Sequence, residues 1–305
     1  MTSRPKHRSL FRSLAFVFCT ILLAGTASAE EFNFQKMLAT AEKGDAEAQY
    51  AIGRAYSKGI GTGQSYSKAI EWYRKAAEQG NPKAQTNLGT LCLDGSGTKA
   101  DPAEALSWFR KAADQGDSIA QYNLGWMLAE GKGQPKDVKE AFRWFEKSAK
   151  QGQANAQASY GNLLMLGDYG IEQNYGDAAI WLRKAAEQGN AMAQNSLGVM
   201  YERGLGVTKD LTEAAGLFRK AARQDHHRAQ VNLGRMYETA QGGLEGDFMK
   251  AYFYYTLAAS AEEEQGMKAK ASLELENKIR PAEILEARRL AQDYLNGKGR
   301  PDFAR

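Results

Sequence analysis

One phrase returns along this chain every 36 residues. Its first half reads Ala84-Gln85-Thr86-Asn87-Leu88-Gly89, and its second half reads Trp108-Phe109-Arg110-Lys111-Ala112-Ala113-Asp114-Gln115-Gly116. The closing glycine falls at Gly44, Gly80, Gly116 and Gly152, then at Gly189 after one inserted residue. A fixed period of about 20 to 50 residues marks a stacked repeat protein, whose units cannot bury their apolar faces alone and lean on their neighbours. The same constraint bears on function, because a solenoid offers a long groove to partners and seldom a closed catalytic pocket.

Each unit resolves into two helices. Asn81 is placed to cap helix A and Pro82 stands at its first position, where a missing N–H costs nothing. Ala84, Leu88, Leu91 and Cys92 then recur at helical spacing as one apolar face, and Gly95-Ser96-Gly97 ends the helix. Asp101-Pro102-Ala103-Glu104 opens helix B as a cap with glutamate three residues on, and Ala105, Trp108, Phe109 and Ala112 point inward. The slot before helix B reads Ser65, Asp101, Asp137, Asn174, Asp210 and Asp247. The slot before helix A reads Asp45, Asn81, Asp117, Gln153, Asn190 and His226, of which Gln153 and His226 are poor caps by type.

Helix A carries a glycine at Gly53, Gly89, Gly125, Gly161, Gly198 and Gly234, and helix B carries Trp72, Trp108, Trp144, Trp181, Leu217 and Tyr254. A glycine inside a helix costs about 1 kcal/mol against alanine, so six in register imply close approach of a neighbouring helix, with the large side chain seated near it. The tryptophans are therefore expected in the core.

Residues 1–29 have a different composition. Arg4, Lys6, Arg8 and Arg12 precede an apolar run from Leu14 to Gly25, and Ala27-Ser28-Ala29 suits a signal peptidase. The run is too short to span the roughly 30 Å of a bilayer core as a helix, so a cleaved secretory signal ending at Ala29 is expected, with the mature chain periplasmic or secreted and not inserted in a membrane. The whole chain has 40 Lys+Arg against 36 Asp+Glu; the leader holds four of the basic residues and no acidic one, so the mature part balances at 36 of each. The basic excess is a property of the leader and gives no reason to expect nucleic acid. Cys92 is the one cysteine left after cleavage, which excludes an intrachain disulfide, and its register suits a small apolar filler.

Both ends suggest caps. Phe32 to Lys43 is a lone amphipathic helix, while Met267 to Lys278 and Pro281 to Leu295 suggest two closing helices. The expected organisation is a signal over 1–29, a capping helix over 30–43, six repeats over 44–265 and capping helices with a tail over 266–305. The fold class is all-α, an α/α superhelical solenoid of helix-turn-helix repeats, and the chain is expected to be a monomer.

The phrases Ala-Gln-x-Asn-Leu-Gly, Tyr-x-x-Gly-x-Gly, Asp-x-x-x-Ala and Trp-x-x-Lys-Ala-Ala-x-Gln-Gly together resemble the Sel1-like repeat family, a relative of the tetratricopeptide repeats. The period and the loop glycines, such as Gly59 with Gly61 and Gly95 with Gly97, separate it from the tetratricopeptide pattern of about 34 residues. The resemblance covers roughly residues 35–265. It implies a superhelix that serves as an adaptor. Exported bacterial members include periplasmic regulators of sensor kinases, envelope assembly factors and secreted proteins that engage host molecules. Cysteine-rich members carry a disulfide in each repeat, which this chain lacks.

Catalysis has one candidate motif. Ser65-Tyr66-Ser67-Lys68 matches the Ser-x-x-Lys of serine β-lactamases, but the companion Ser-Asp-Asn and Lys-Thr-Gly motifs are absent and Ser65 fills a cap slot. His226-His227 lacks the companions of a tetrahedral metal site, and His226 is read as part of a solvent-exposed turn. No catalytic residue, cofactor or metal is therefore expected. Arg74-Lys75, Arg110-Lys111, Arg183-Lys184 and Arg219-Lys220 recur with the repeat and read as solvated helix flanks.

A protein partner is expected where the repeats disagree. By analogy with tetratricopeptide folds, helix A lines the concave face, and the positions around its Leu-Gly pair point into the groove. They read Tyr50 and Arg54, Thr86 and Thr90, Tyr122 and Trp126, Ala158 and Asn162, Asn195 and Val199, Val231 and Arg235. Tyr50, Arg54, Tyr122, Trp126, Asn162 and Arg235 are the candidate partner-binding residues, being of types that supply hot spots or hydrogen bonds. Trp126 stands out, since no other unit places an aromatic there. The resulting expectation is a non-enzymatic scaffold, regulating or assembling an envelope component or engaging host proteins from outside the cell.

Overall fold

The computed structural model describes residues 33–304, and every regular element among them is helical. A leading helix α1 (Phe34–Glu42) precedes twelve helices that follow in the chain as six successive pairs. These are α2 (Ala46–Lys58) with α3 (Tyr66–Glu78), α4 (Pro82–Asp94) with α5 (Pro102–Asp114), and α6 (Ser118–Glu130) with α7 (Val138–Lys150). They continue as α8 (Ala154–Leu166) with α9 (Tyr175–Glu187), α10 (Ala191–Arg203) with α11 (Leu211–Ala222), and α12 (His227–Glu238) with α13 (Phe248–Ser260). Helices α14 (Glu264–Leu275) and α15 (Pro281–Leu295) and a 3-10 turn at Asp302–Ala304 follow. The described chain is an α/α repeat solenoid that parts into two compact units between Ala141 and Phe142. Within the first unit α2 to α6 pack in chain order, and within the second α8 to α13 do the same, with α14 and α15 both resting on α13.

The helix ends form as the capping residues demand. Asp45, Asn81 and Asp117 accept from the backbone N–H three residues on, at 2.7, 2.9 and 2.8 Å. The two poor caps also serve. Gln153 Oε1 takes the N–H of Ala156, and His226 Nδ1 takes that of Ala229 at 3.2 Å. Most helices of the A type end on a left-handed glycine, such as Gly59 at φ 71° and Gly95 at φ 71°.

The helix-A glycines do mark close approach, but not of the tryptophans. A Cβ on Gly53 would stand 2.6 Å from the ring of Tyr73, and one on Gly89 would stand 2.9 Å from that of Phe109. Leu182, Phe218 and Tyr255 meet Gly161, Gly198 and Gly234 in the same way. The seated side chain is thus the residue after the Trp position, one helical step round toward helix A. The tryptophans stand beside this seam: Trp108 and Trp144 are buried, Trp72 and Trp181 half-buried. Each is covered by the lysine one turn later, with Lys75, Lys111, Lys147 and Lys184 ammonium groups 4.2, 4.0, 3.9 and 4.4 Å from the ring centroids. Those lysines are therefore not purely solvated flanks. Their arginine neighbours bridge repeats instead, Arg74 to Glu104 at 2.7 Å and Arg110 to Glu140 at 3.0 Å.

Buried glutamines tie successive repeats together. Gln49, Gln85, Gln157 and Gln194 donate Nε2–H to the carbonyls of Ala41, Ala77, Ala149 and Ala186, which end the preceding helix. Their Oε1 atoms accept from Gln79, Gln115, Gln188 and Gln224 respectively, at 2.7 to 2.9 Å. Each of these alanine carbonyls also takes the N–H of the closing glycine, so the glutamine fills the carbonyl's second lone pair.

At the start of the chain α1 begins at Phe34 on an Asn33 cap, and the Phe32 expected to open it lies outside the described residues, as does the signal expected over 1–29. At the other end the tail turns back. Phe303 packs edge-on against Phe253 with centroids 5.1 Å apart, and Arg300 donates to the carbonyl of Arg223. Among the described residues no helix is long and apolar enough to cross a membrane.

Candidate functional site

The candidate residues fall in both units, and each unit is described by itself. In the first, α2, α4 and α6 present the register position after the helix glycine as Arg54, Thr90 and Trp126. Arg54 is exposed and makes no ion pair among the described residues. Thr90 is half-buried and its hydroxyl is occupied by the carbonyl of Thr86 at 3.1 Å. Trp126 is half-buried, and its Nε1–H is shielded from solvent with no acceptor among the described residues. Lys132, just past the end of α6, places its ammonium 4.2 Å from the Trp126 ring centroid. It also acts on Asp94 at the end of α4, whose carboxyl is raised above its ordinary range by the atoms packed around it, an effect the Lys132 charge opposes.

The three A-type helices of this unit thus bring a cation, a small hydroxyl and an indole into one register. The earlier turn of each helix is less available. Tyr50 is half-buried and its ring lies 6.0 Å from that of Tyr73. Tyr122 is 8% exposed, with burial pushing its hydroxyl up to about 12, so its ring belongs to the core. Tyr122 therefore offers a partner little surface.

In the second unit Asn162 occupies the same register on α8; it is half-buried and its Oδ1 has no donor among the described residues. On α12, Arg235 is already engaged: its guanidinium donates to Glu202 Oε1 at 2.6 Å, with the carboxylate side chain 14% exposed and the arginine 39%.

The chemically suggestive residues are otherwise occupied. Ser65 Oγ accepts from the backbone N–H of Lys68 as a cap, while Lys68 Nζ sits 5.3 Å from the Tyr56 ring centroid. The hydroxyl and amine of Ser-x-x-Lys are thus turned to different tasks. Burial pushes the Cys92 thiol up to about 11, assisted by the Glu104 carboxylate, which disfavours the reactive thiolate. His226 does not sit in a solvent-exposed turn. Burial holds its imidazole down to about 4, with His227 and Arg228 adding repulsion, so it stays neutral and free to accept from the helix. No group of three or more His, Cys, Asp or Glu among the described residues is placed to hold a metal ion.

The Sel1 repeat pattern matches residues 46–81, 82–117, 118–153, 154–190, 191–226 and 227–262, well over half of the chain. The chain belongs to the Sel1 repeat family. This is a fold that commonly serves as a protein-interaction scaffold and is generally non-catalytic. Among solved structures, it is similar to the Sel1 repeat protein from Oxalobacter formigenes, 32% identical over 74% of this chain and 90% of that one, with a TM-score of 0.66. It is also similar to c5321, a protective antigen of uropathogenic Escherichia coli strains that displays the same repeat fold, at 29% identity and a TM-score of 0.63. That match covers 86% of this chain and 64% of the antigen's length. No curated protein sequence matches the chain.

The sequence pattern singled out Trp126 and Arg54 but gave no sign of Lys132. A lysine two residues past a helix end reads as ordinary loop charge until the fold lays it across the indole.

Proposed function

We propose that this chain is an exported, monomeric, non-enzymatic scaffold whose helix-A row binds a partner protein, regulating or assembling a component of the bacterial envelope. The observation that carries the reading is Trp126, which departs from the repeat pattern and holds a shielded indole N–H without an acceptor. Tryptophan and arginine dominate binding hot spots, and Arg54 stands two repeats away in the same register with its charge uncommitted. Non-catalysis is supported by Ser65 and Lys68, each of which already has a structural task. Export is supported by the basic start, apolar run and small-residue end of residues 1–29, and by the balanced charge that follows.

The test is capture from an envelope extract by wild type and by Trp126→Ala/Arg54→Ala, with melting temperature measured in both. Tyr122 is kept intact, because changing it disturbs the core. A partner held by wild type and lost by the folded double variant supports the reading; full retention contradicts it. An N-terminus at Glu30 on protein from the periplasmic or culture fraction supports export, and an intact Met1 in the cytoplasm contradicts it.

A second reading is a secreted factor that engages host proteins, favoured by the likeness to a protective antigen. Recovery of the chain from culture medium rather than the periplasm would select it.

A further inference from the structure

The partner's chemistry can be inferred from the same face, and this step rests on the docking reading above. Trp126 Nε1–H is a donor removed from water and left without an acceptor, which carries the desolvation penalty of an unmade hydrogen bond. Lys132 places an ammonium 4.2 Å from the centroid of the same indole, and it makes no ion pair among the described residues. Arg54 adds a second unpaired cation on the same register of the first unit. Two positive charges and one N–H donor therefore share a face, with no ion pair formed to either charge and no hydrogen-bond acceptor on the N–H among the described residues.

We propose that this face binds an acidic peptide segment, one carboxylate of which takes the Trp126 indole N–H and the Lys132 ammonium together. An ionised acceptor forms the stronger class of hydrogen bond, and a single carboxylate has lone pairs enough for both donors. The Lys132 arm is flexible and its ammonium lies over the ring face, so it can turn toward a carboxylate seated at the N–H edge of the same ring. Asp94, which Lys132 influences, is the competitor within the chain: it attracts the same ammonium and repels an incoming acid. Spacing adds a second requirement. Packed helices lie about 10 Å apart, so Arg54 and Trp126, two repeats apart, are separated by about 20 Å. An extended strand rises about 3.3 Å per residue, which places a second acidic residue about six positions from the first.

The test is fluorescence anisotropy of the mature full chain with three fluorescein-labelled peptides, bearing two Glu, two Gln or two Lys six positions apart. The Glu peptide is expected to bind, the Gln peptide about tenfold more weakly, and the Lys peptide not at all. Trp126→Phe keeps the ring and removes the N–H; it should weaken Glu-peptide binding about tenfold, and Lys132→Met by a similar factor with a shallower salt dependence. Asp94→Asn should strengthen binding several-fold. Equal binding of Glu and Gln peptides, no binding of the Glu peptide, or no effect of Lys132→Met on a folded protein would overturn the proposal. Partner capture distinguishes the two levels. Loss in Trp126→Ala with retention in Trp126→Phe and Lys132→Met sinks the carboxylate chemistry alone, while retention in Trp126→Ala sinks the docking reading as well.

Discussion

Trp126 and Arg235 occupy the same register of helix A, one in each compact unit, and the fold treats them oppositely. Arg235 is matched at 2.6 Å by Glu202 on the preceding helix of its type, whose side chain is 14% exposed. Trp126 has no acceptor for its N–H. A variable position inside a repeat is therefore not a binding position by virtue of variation alone. One deviation was absorbed by a compensating deviation in the neighbouring repeat, and the other was left open.

The largest expected effect tests the regular framework against which both positions are judged. Gly89→Val would drive its side chain into Phe109, whose ring already lies 2.9 Å from where a Cβ would be. A loss of about 3 kcal/mol in urea unfolding is expected. Native stability would show that the seam tolerates bulk and that glycine register carries no information.

Acid should act on the repeat that contains Arg235. The folded pKa of His226, about 4, lies below its ordinary value of 6.5, so the folded chain binds fewer protons than the unfolded chain between those limits. Stability from this group is full above about pH 6.5, falls as pH is lowered, and is gone below about pH 4. The change is on the order of 3 kcal/mol. His226→Asn, a good cap without the titration, should flatten that part of the pH profile. An unchanged profile would mean that His226 does not cap α12.

Gln194→Leu removes the donor to Ala186 O and the acceptor for Gln224 at once. A loss of about 1–2 kcal/mol in chemical denaturation is expected, since two hydrogen bonds between repeats are lost while Ala186 O keeps the N–H of Gly189 and Gln224 keeps the carbonyl of Lys220. Glu202→Gln is the smallest change. It should cost about 1 kcal/mol or less, because Arg235 remains partly in solvent, and should leave partner capture untouched. If instead it abolished capture, Arg235 would join the binding row and the contrast with Trp126 would fail.

How far these features were legible depended on whether their cause was local. The helix pairs, caps and loop glycines follow from backbone rules acting over a few residues, and they could be read from the period. The seat of Tyr73 and Phe109 against glycine was misassigned to the neighbouring tryptophans, because both residues fall on the apolar face and one step of helix rotation separates them. The glutamine spine stood in the motif as Ala-Gln, yet its partners lie 8 and 30 residues away, and only the fold brings them together. Within the candidate site, Trp126 and Arg54 could be read as departures from the pattern. The burial of Tyr122, the match of Arg235 to Glu202 and the reach of Lys132 could not, since each depends on which neighbouring helix it meets.

The central claim is that partner binding depends on the open deviation and not on the matched one. It is tested most directly by measuring partner capture side by side for Trp126→Ala and Arg235→Ala in the mature full chain, at temperatures well below each melting point. The account predicts that Trp126→Ala loses the partner while Arg235→Ala keeps it. Retention by Trp126→Ala, or equal loss in both folded variants, would contradict it.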